Sequence, residues 1–119
     1  MRTAAALFAT AVLAVAGNTV SAADAASGDR IRAAIGGNTV EGSMIASGAY
    51  KEFYAEDGSI KADGYTGKWT VDGDAMCFQY GTDPQSCWQV TIDGNSVTWV
   101  KDGKTDGTGT IVPGNPAEF

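Results

Sequence analysis

GKWTVDGDAMCFQYGTDPQSCWQVTIDGNSVTWV, residues 67–100, holds all three tryptophans and both cysteines of the chain. It divides into four alternating runs. Asp72-Gly73 and Asp93-Gly94 lie between runs, and Asp-Gly flanked by alternating apolar residues is a strong hairpin signal, because a type I′ turn needs positive φ at both central positions. A two-residue turn at Asp72-Gly73 pairs Val71 with Asp74 and Trp69 with Met76. The same turn at Asp93-Gly94 pairs Val90 with Val97 and Trp88 with Trp99. The middle hairpin is set differently: a disulfide between Cys77 and Cys87 requires them to lie opposite each other. Phe78 then faces Ser86, and residues 80–84 form the loop.

The three registers, assigned separately, agree. Side chains alternate along a strand, so Trp69, Val71, Met76 and Phe78 share one face with Trp88, Val90, Ile92, Val97 and Trp99. Lys68, Thr70, Gln79, Gln89, Thr91, Ser96 and Thr98 fall on the other face with the cysteines. A one-residue slip in any hairpin would destroy this segregation.

Outward from this meander the chain continues in short pieces. Residues 27–35, SGDRIRAAI, predict a short helix capped by Ser27, with Asp29 at its positive end and Ile31 and Ile35 on one side. So short a helix is unstable alone, which predicts that it packs on the sheet, at one end. Residues 38–44 and 49–55 predict two strands, the second with Tyr50, Phe53 and Tyr54 at mixed parity, a sign of a bulge or of two partly covered faces. Residues 59–62 and 109–112 predict two more. For the last hairpin, a two-residue turn at Asp102-Gly103 would turn Asp106 inward and Ile111 outward. A three-residue loop is preferred, because it turns Ile111 inward, sets glycines opposite large inner side chains and leaves no buried Asp106 in need of a partner. The sum is an all-β chain of about eight antiparallel strands, an up-and-down barrel with a short N-terminal helix; closure removes the exposed edges. Six Asp-Gly dipeptides follow residue 56 at irregular spacing, so they mark turns, not a repeat.

Residues 1–25 carry Arg2, an apolar run over 4–16 and small residues at 20–25, the pattern of a secretory signal peptide. The expected organisation is a signal peptide over 1–25 and one barrel domain over 26–119, in the periplasm or secreted, with no membrane span once the signal is removed. Loss of Arg2 and Asp24 leaves the net charge at −6, which disfavours nucleic acid as a partner. Two cysteines in an exported domain of this size read as one disulfide.

The opening IRAAIGGNTVEG, then FYAEDGSI, GKWTV, Met76-Cys77, Cys87 and the closing Gly114-Asn115 resemble small exported β-barrel proteins of alphaproteobacteria, families of unknown function. The resemblance covers most of residues 29–115 and implies a lipocalin-like or avidin-like barrel. Neither the lipocalin G-x-W signature nor a full set of avidin ligand positions is present, so it implies architecture and export and no ligand.

Chemistry is sparse. The chain has no histidine, which excludes Ser-His and Cys-His catalysis and leaves zinc without a ligand set. The aspartates of the Asp-Gly pairs are explained by turns. Residues 102–109 match a calcium loop at Asp102, Asp106 and Gly107 but place Lys104 at a ligand position. The chain is therefore expected to be no enzyme and to hold no cofactor or metal. Trp69, Phe78, Trp88 and Trp99 are the candidate ligand-binding residues, open to two readings: core packing or an aromatic-lined pocket for a small apolar or planar ligand. A different class is a protein-binding or protease-inhibitor-like module of the cell envelope that uses residues 26–32 as an inserting arm.

Overall fold

A computed structural model describes residues 24–119; the expected signal segment up to residue 23 lies outside the described residues. After helix α1 (Gly28–Ile35) come strands β1 (Asn38–Met44), β2 (Gly48–Tyr54), β3 (Ser59–Ala62), β4 (Tyr65–Asp72), β5 (Ala75–Gln79), β6 (Ser86–Asp93), β7 (Ser96–Lys101) and β8 (Lys104–Val112). Each strand pairs antiparallel with the next, and β8 pairs with β1, closing an eight-stranded up-and-down barrel. Closure gives every strand two partners, so no edge is left to template association.

The inner face is the expected one. Met76, Val90, Val97 and Trp99 are buried in the core with Trp69 and Phe78, whereas Lys68, Thr70, Gln79 and Gln89 are exposed. The disulfide joins Cys77 to Cys87, which face each other across β5 and β6.

The outer registers differ from expectation by two residues. Asp72 pairs with Ala75 and Asp93 with Ser96, so the two-residue loops are Gly73-Asp74 and Gly94-Asn95. Glycine stands first in each loop, at φ 58° and 59°, and the second residue keeps negative φ. That is the type II′ pattern, which needs positive φ at one position only. Trp69 therefore faces Phe78, and Val90 faces Trp99. A two-residue shift returns every side chain to its own face, so the inner and outer sets survive it.

The type I′ turn occurs where a longer loop was expected. Asp102 and Gly103 have φ 53° and 74°, and Lys101 pairs with Lys104. A bulge at Trp99/Val100 then moves the register, setting Trp99 opposite Gly107 and Val97 opposite Gly109. The bulge turns Ile111 inward, to 9 % exposed, in place of the three-residue loop. Strand β2 runs without a bulge: its register with β1 is unbroken from Asn38↔Tyr54 to Met44↔Gly48. Tyr50 and Tyr54 lie on the inner row, and Phe53 is a half-buried residue of the opposite parity.

Helix α1 plugs one end of the barrel. Ser27 caps it, its Oγ accepting from the Arg30 N–H at 3.2 Å. Ile31 and Ile35 are fully buried in the barrel core, and burial of each contributes about 1.5–3 kcal/mol. The Ala26 N–H donates to the Val90 carbonyl, and the Gly28 N–H to Asp74 Oδ1 at 2.9 Å. A Cβ at Gly28 would run into the Gly73 carbonyl and lie 2.9 Å from Val71 Cγ1, so glycine permits this close approach. Among the described residues no helix is long and apolar enough to cross a membrane.

Candidate functional site

The end of the barrel opposite α1 is hollow. A cavity of about 870 Å³ opens between the β1–β2, β3–β4 and β5–β6 connections. Its aromatic walls include Phe78, Trp88 and Trp99 and all four tyrosines of the chain, Tyr50, Tyr54, Tyr65 and Tyr80. Three of the four tryptophan and phenylalanine candidates therefore line one cavity. Trp69 does not. It sits at the plugged end, its Nε1 donating to the Ala55 carbonyl at 2.8 Å and its ring edge-on to Tyr54 at 6.2 Å.

Trp88 and Trp99 are not opposite each other, a consequence of the shifted register. Trp88 faces Met76 and Trp99 faces Val90. The two indoles are joined through Phe78, whose ring centroid lies 5.4 Å from each in an edge-to-face arrangement, a geometry favoured by the ring quadrupoles. Their N–H groups are fixed. Trp88 Nε1 donates to Asp106 Oδ2 at 2.8 Å, and Trp99 Nε1 donates to the Tyr50 hydroxyl at 2.7 Å. Asp106 thus has the partner that its sequence context did not reveal. Lys101 Nζ lies over the Trp88 ring, 4.2 Å from its centroid, within cation–π range.

Glu52 lies on the inner row of β2, between Tyr50 and Tyr54, and is only 6 % exposed. The Tyr54 hydroxyl donates to its Oε1 at 2.7 Å and the Tyr65 hydroxyl to its Oε2 at 2.8 Å. The Tyr80 hydroxyl sits between both oxygens, 3.0 and 2.9 Å away. A buried carboxylate is costly unless hydrogen-bonded, and three phenols supply that need. The same contacts hold the phenols protonated. Burial first, then the charge of Glu52, pushes Tyr54 well above the ordinary phenol range. Tyr80 is raised by the same causes, and Tyr65 by burial and then its hydrogen bond to Glu52. Tyr50 is raised by burial and partly relieved by the Trp99 N–H; its own hydroxyl donates to the Thr108 carbonyl at 3.0 Å.

Glu52, the four tyrosines and Asp106 are not among the residues expected at a ligand site; the sequence reading makes Tyr50 and Tyr54 strand residues and Asp106 a turn residue. The signal was present: Tyr-Lys-Glu-Phe-Tyr over 50–54 puts Glu52 at the same parity as two tyrosines.

The expected arm, residues 26–32, is docked on its own barrel through Ala26, Gly28 and Ile31. Among the described residues no group of three His, Cys, Asp or Glu side chains could hold a metal ion. No protein-family model, curated protein or solved structure matches this chain.

Proposed function

We propose that this chain is an exported, non-enzymatic binding protein that holds a small apolar or aromatic ligand in the open end of its barrel. The observation that carries the proposal is the cavity of about 870 Å³ walled by Phe78, Trp88 and Trp99, a size within the range of roughly 300–1,000 Å³ common for ligand sites. Its walls are preorganised: each indole N–H has a fixed acceptor and each tyrosine hydroxyl a fixed partner, so a ligand would meet ordered rings and little entropy would be lost in arranging them. Export is supported by the N-terminal charge and hydropathy pattern and by the Cys77–Cys87 disulfide, a bond that persists in oxidising compartments. A non-enzymatic role is supported by the absence of histidine and by the engagement of Glu52 with three phenols.

Native mass spectrometry of protein purified from its export compartment, with tryptophan emission measured before and after ligand removal, tests the proposal. The expected result is a bound small molecule whose removal shifts an emission that Trp88→Phe suppresses. A bare mass, together with emission indifferent to a panel of small apolar and aromatic compounds, would overturn it.

A further inference from the structure

The cavity is one-sided in its hydrogen bonding. The donors of its aromatic walls are committed within the protein: Tyr54, Tyr65 and Tyr80 to Glu52, Tyr50 to Thr108, Trp88 to Asp106 and Trp99 to Tyr50. A phenol that has given its single proton keeps acceptor lone pairs only. The carboxylate of Glu52 has about four acceptor positions and receives three phenol protons, so it retains acceptor capacity. The other lining hydroxyls, Ser47, Thr66 and Thr82, accept as readily as they donate.

The charge is one-sided too. The phenols satisfy the hydrogen bonds of Glu52 but bring no positive charge. The ion pairs among the described residues join Arg32 to Asp29 and Lys51 to Glu41, and neither involves Glu52. The lining side chains include the acids Glu52 and Asp83 and, among the described residues, no lysine or arginine. A carboxylate buried without a counter-charge in a low-dielectric bowl attracts a cation more strongly than one in water does. The aromatic walls act in the same direction, since their π faces are negative. The protein's own ammonium on Lys101 already rests over one of them, the Trp88 ring.

We infer that the ligand bears a cationic nitrogen on or beside its apolar body, with Glu52 as counter-charge and the Trp88 and Trp99 rings as flanking walls. The inference rests on the binding role proposed above and narrows it: organic ammonium compounds are taken, and carboxylates such as fatty acids are refused. The refusal has the same cause as the attraction: an anion would meet Glu52 and Asp83, and the ammonium of Lys101 is engaged over the Trp88 ring.

Calorimetric titration at neutral pH and about 0.15 M salt, with phenethylammonium, 2-phenylethanol and phenylacetate as probes, tests it. The three share a ring and a similar reach and differ in charge. The native chain should bind the ammonium about tenfold or more tighter than the alcohol, with phenylacetate weakest. Glu52→Gln should bring the three within about twofold of one another. Tyr65→Phe removes one of the phenols competing for Glu52 at the rim and should tighten the ammonium severalfold without changing the alcohol; it serves alongside Glu52→Gln, whose amide meets the phenols differently. Phenylacetate or the alcohol binding as tightly as the ammonium would overturn the inference and leave the binding role standing. Failure of all three probes to bind would overturn the inference; joined to a bare native mass and an emission indifferent to the compound panel, it would overturn the binding role as well. Tyr65→Phe binding the ammonium no better than the native chain would remove Glu52 from the recognition.

Discussion

Alkali should unfold this protein through its tyrosines. Tyr54 and Tyr80 are held protonated in the native state, by burial and by the negative charge of Glu52. In the unfolded chain a phenol titrates near pH 10. Below that pH both states keep the protons and stability is full. Above it the unfolded chain releases protons that the native chain retains, so the native state binds more protons and stability falls as pH rises. Each retained proton is worth about 1.4 kcal/mol per pH unit. Tyr54 and Tyr80 together give a slope of roughly 3 kcal/mol per pH unit. Tyr65, 44 % exposed, adds only a solvent-screened fraction, and Tyr50 adds a further part. Against a stability of about 5–10 kcal/mol for a domain of this size, unfolding should come within about 2 to 3 pH units above the phenol value. Urea denaturation stepped from about pH 8 to about pH 11.5, with tyrosinate absorbance recorded alongside and followed without urea to about pH 13, measures both quantities. The expected record is a flat absorbance through pH 10 and a single cooperative rise as the chain unfolds. Two or more tyrosines titrating smoothly near pH 10, with the urea midpoint unchanged, would refute the account of the Glu52 cluster.

The filled end and the clasp make separate predictions. Ile35→Ala, at a fully buried position where α1 meets the barrel core, should cost about 2–5 kcal/mol in urea denaturation while leaving the emission of Trp88, at the far end, unchanged. Replacing Cys77 and Cys87 by serine opens a crosslink spanning 10 residues and should cost about 2–3 kcal/mol by the loop-entropy relation. The double variant should keep its native near-ultraviolet spectrum below its transition, because the eight-stranded closure does not depend on the bond.

What the sequence disclosed follows from what alternation can specify. Period-two patterning separates two faces, so the inner set from Trp69 to Trp99 was legible before any pairing was known. It does not distinguish registers that differ by two, and both outer hairpins of the meander are displaced by that amount. Asp-Gly alone did not distinguish type I′ from II′: in two of the hairpins the aspartate stays in the strand and glycine takes the first loop position, and at Asp102-Gly103 both residues enter the turn. The bulge at Trp99/Val100 was hidden for a related reason, since it corrects the parity of Ile111 by a means other than loop length. Cys77 opposite Cys87 was recoverable because a covalent bond leaves so little freedom in register.

The candidate site was half legible, and the division has a physical cause. Phe78, Trp88 and Trp99 obey the apolar-inward rule, so they were found. Glu52 breaks that rule, and a charged residue in an inner row reads as a strand irregularity unless its partners are known. Those partners come from β2, β4 and the loop after β5, and they meet only when strands β2 to β5 have paired in sequence. The same arrangement explains how so small a barrel can remain partly hollow. Ile31, Ile35, Ile60 and Met76 are fully buried in a core closed by α1, which concentrates apolar burial at one end. The other end is left to a carboxylate, four phenols and two fixed indoles, whose mutual hydrogen bonds hold the walls apart without filling the space between them. A barrel packed with aliphatic side chains at both ends would gain burial energy and have no cavity; placing Glu52 and its tyrosines at the open end gives up some of that energy and keeps an aromatic-walled cavity with a carboxyl group set into it.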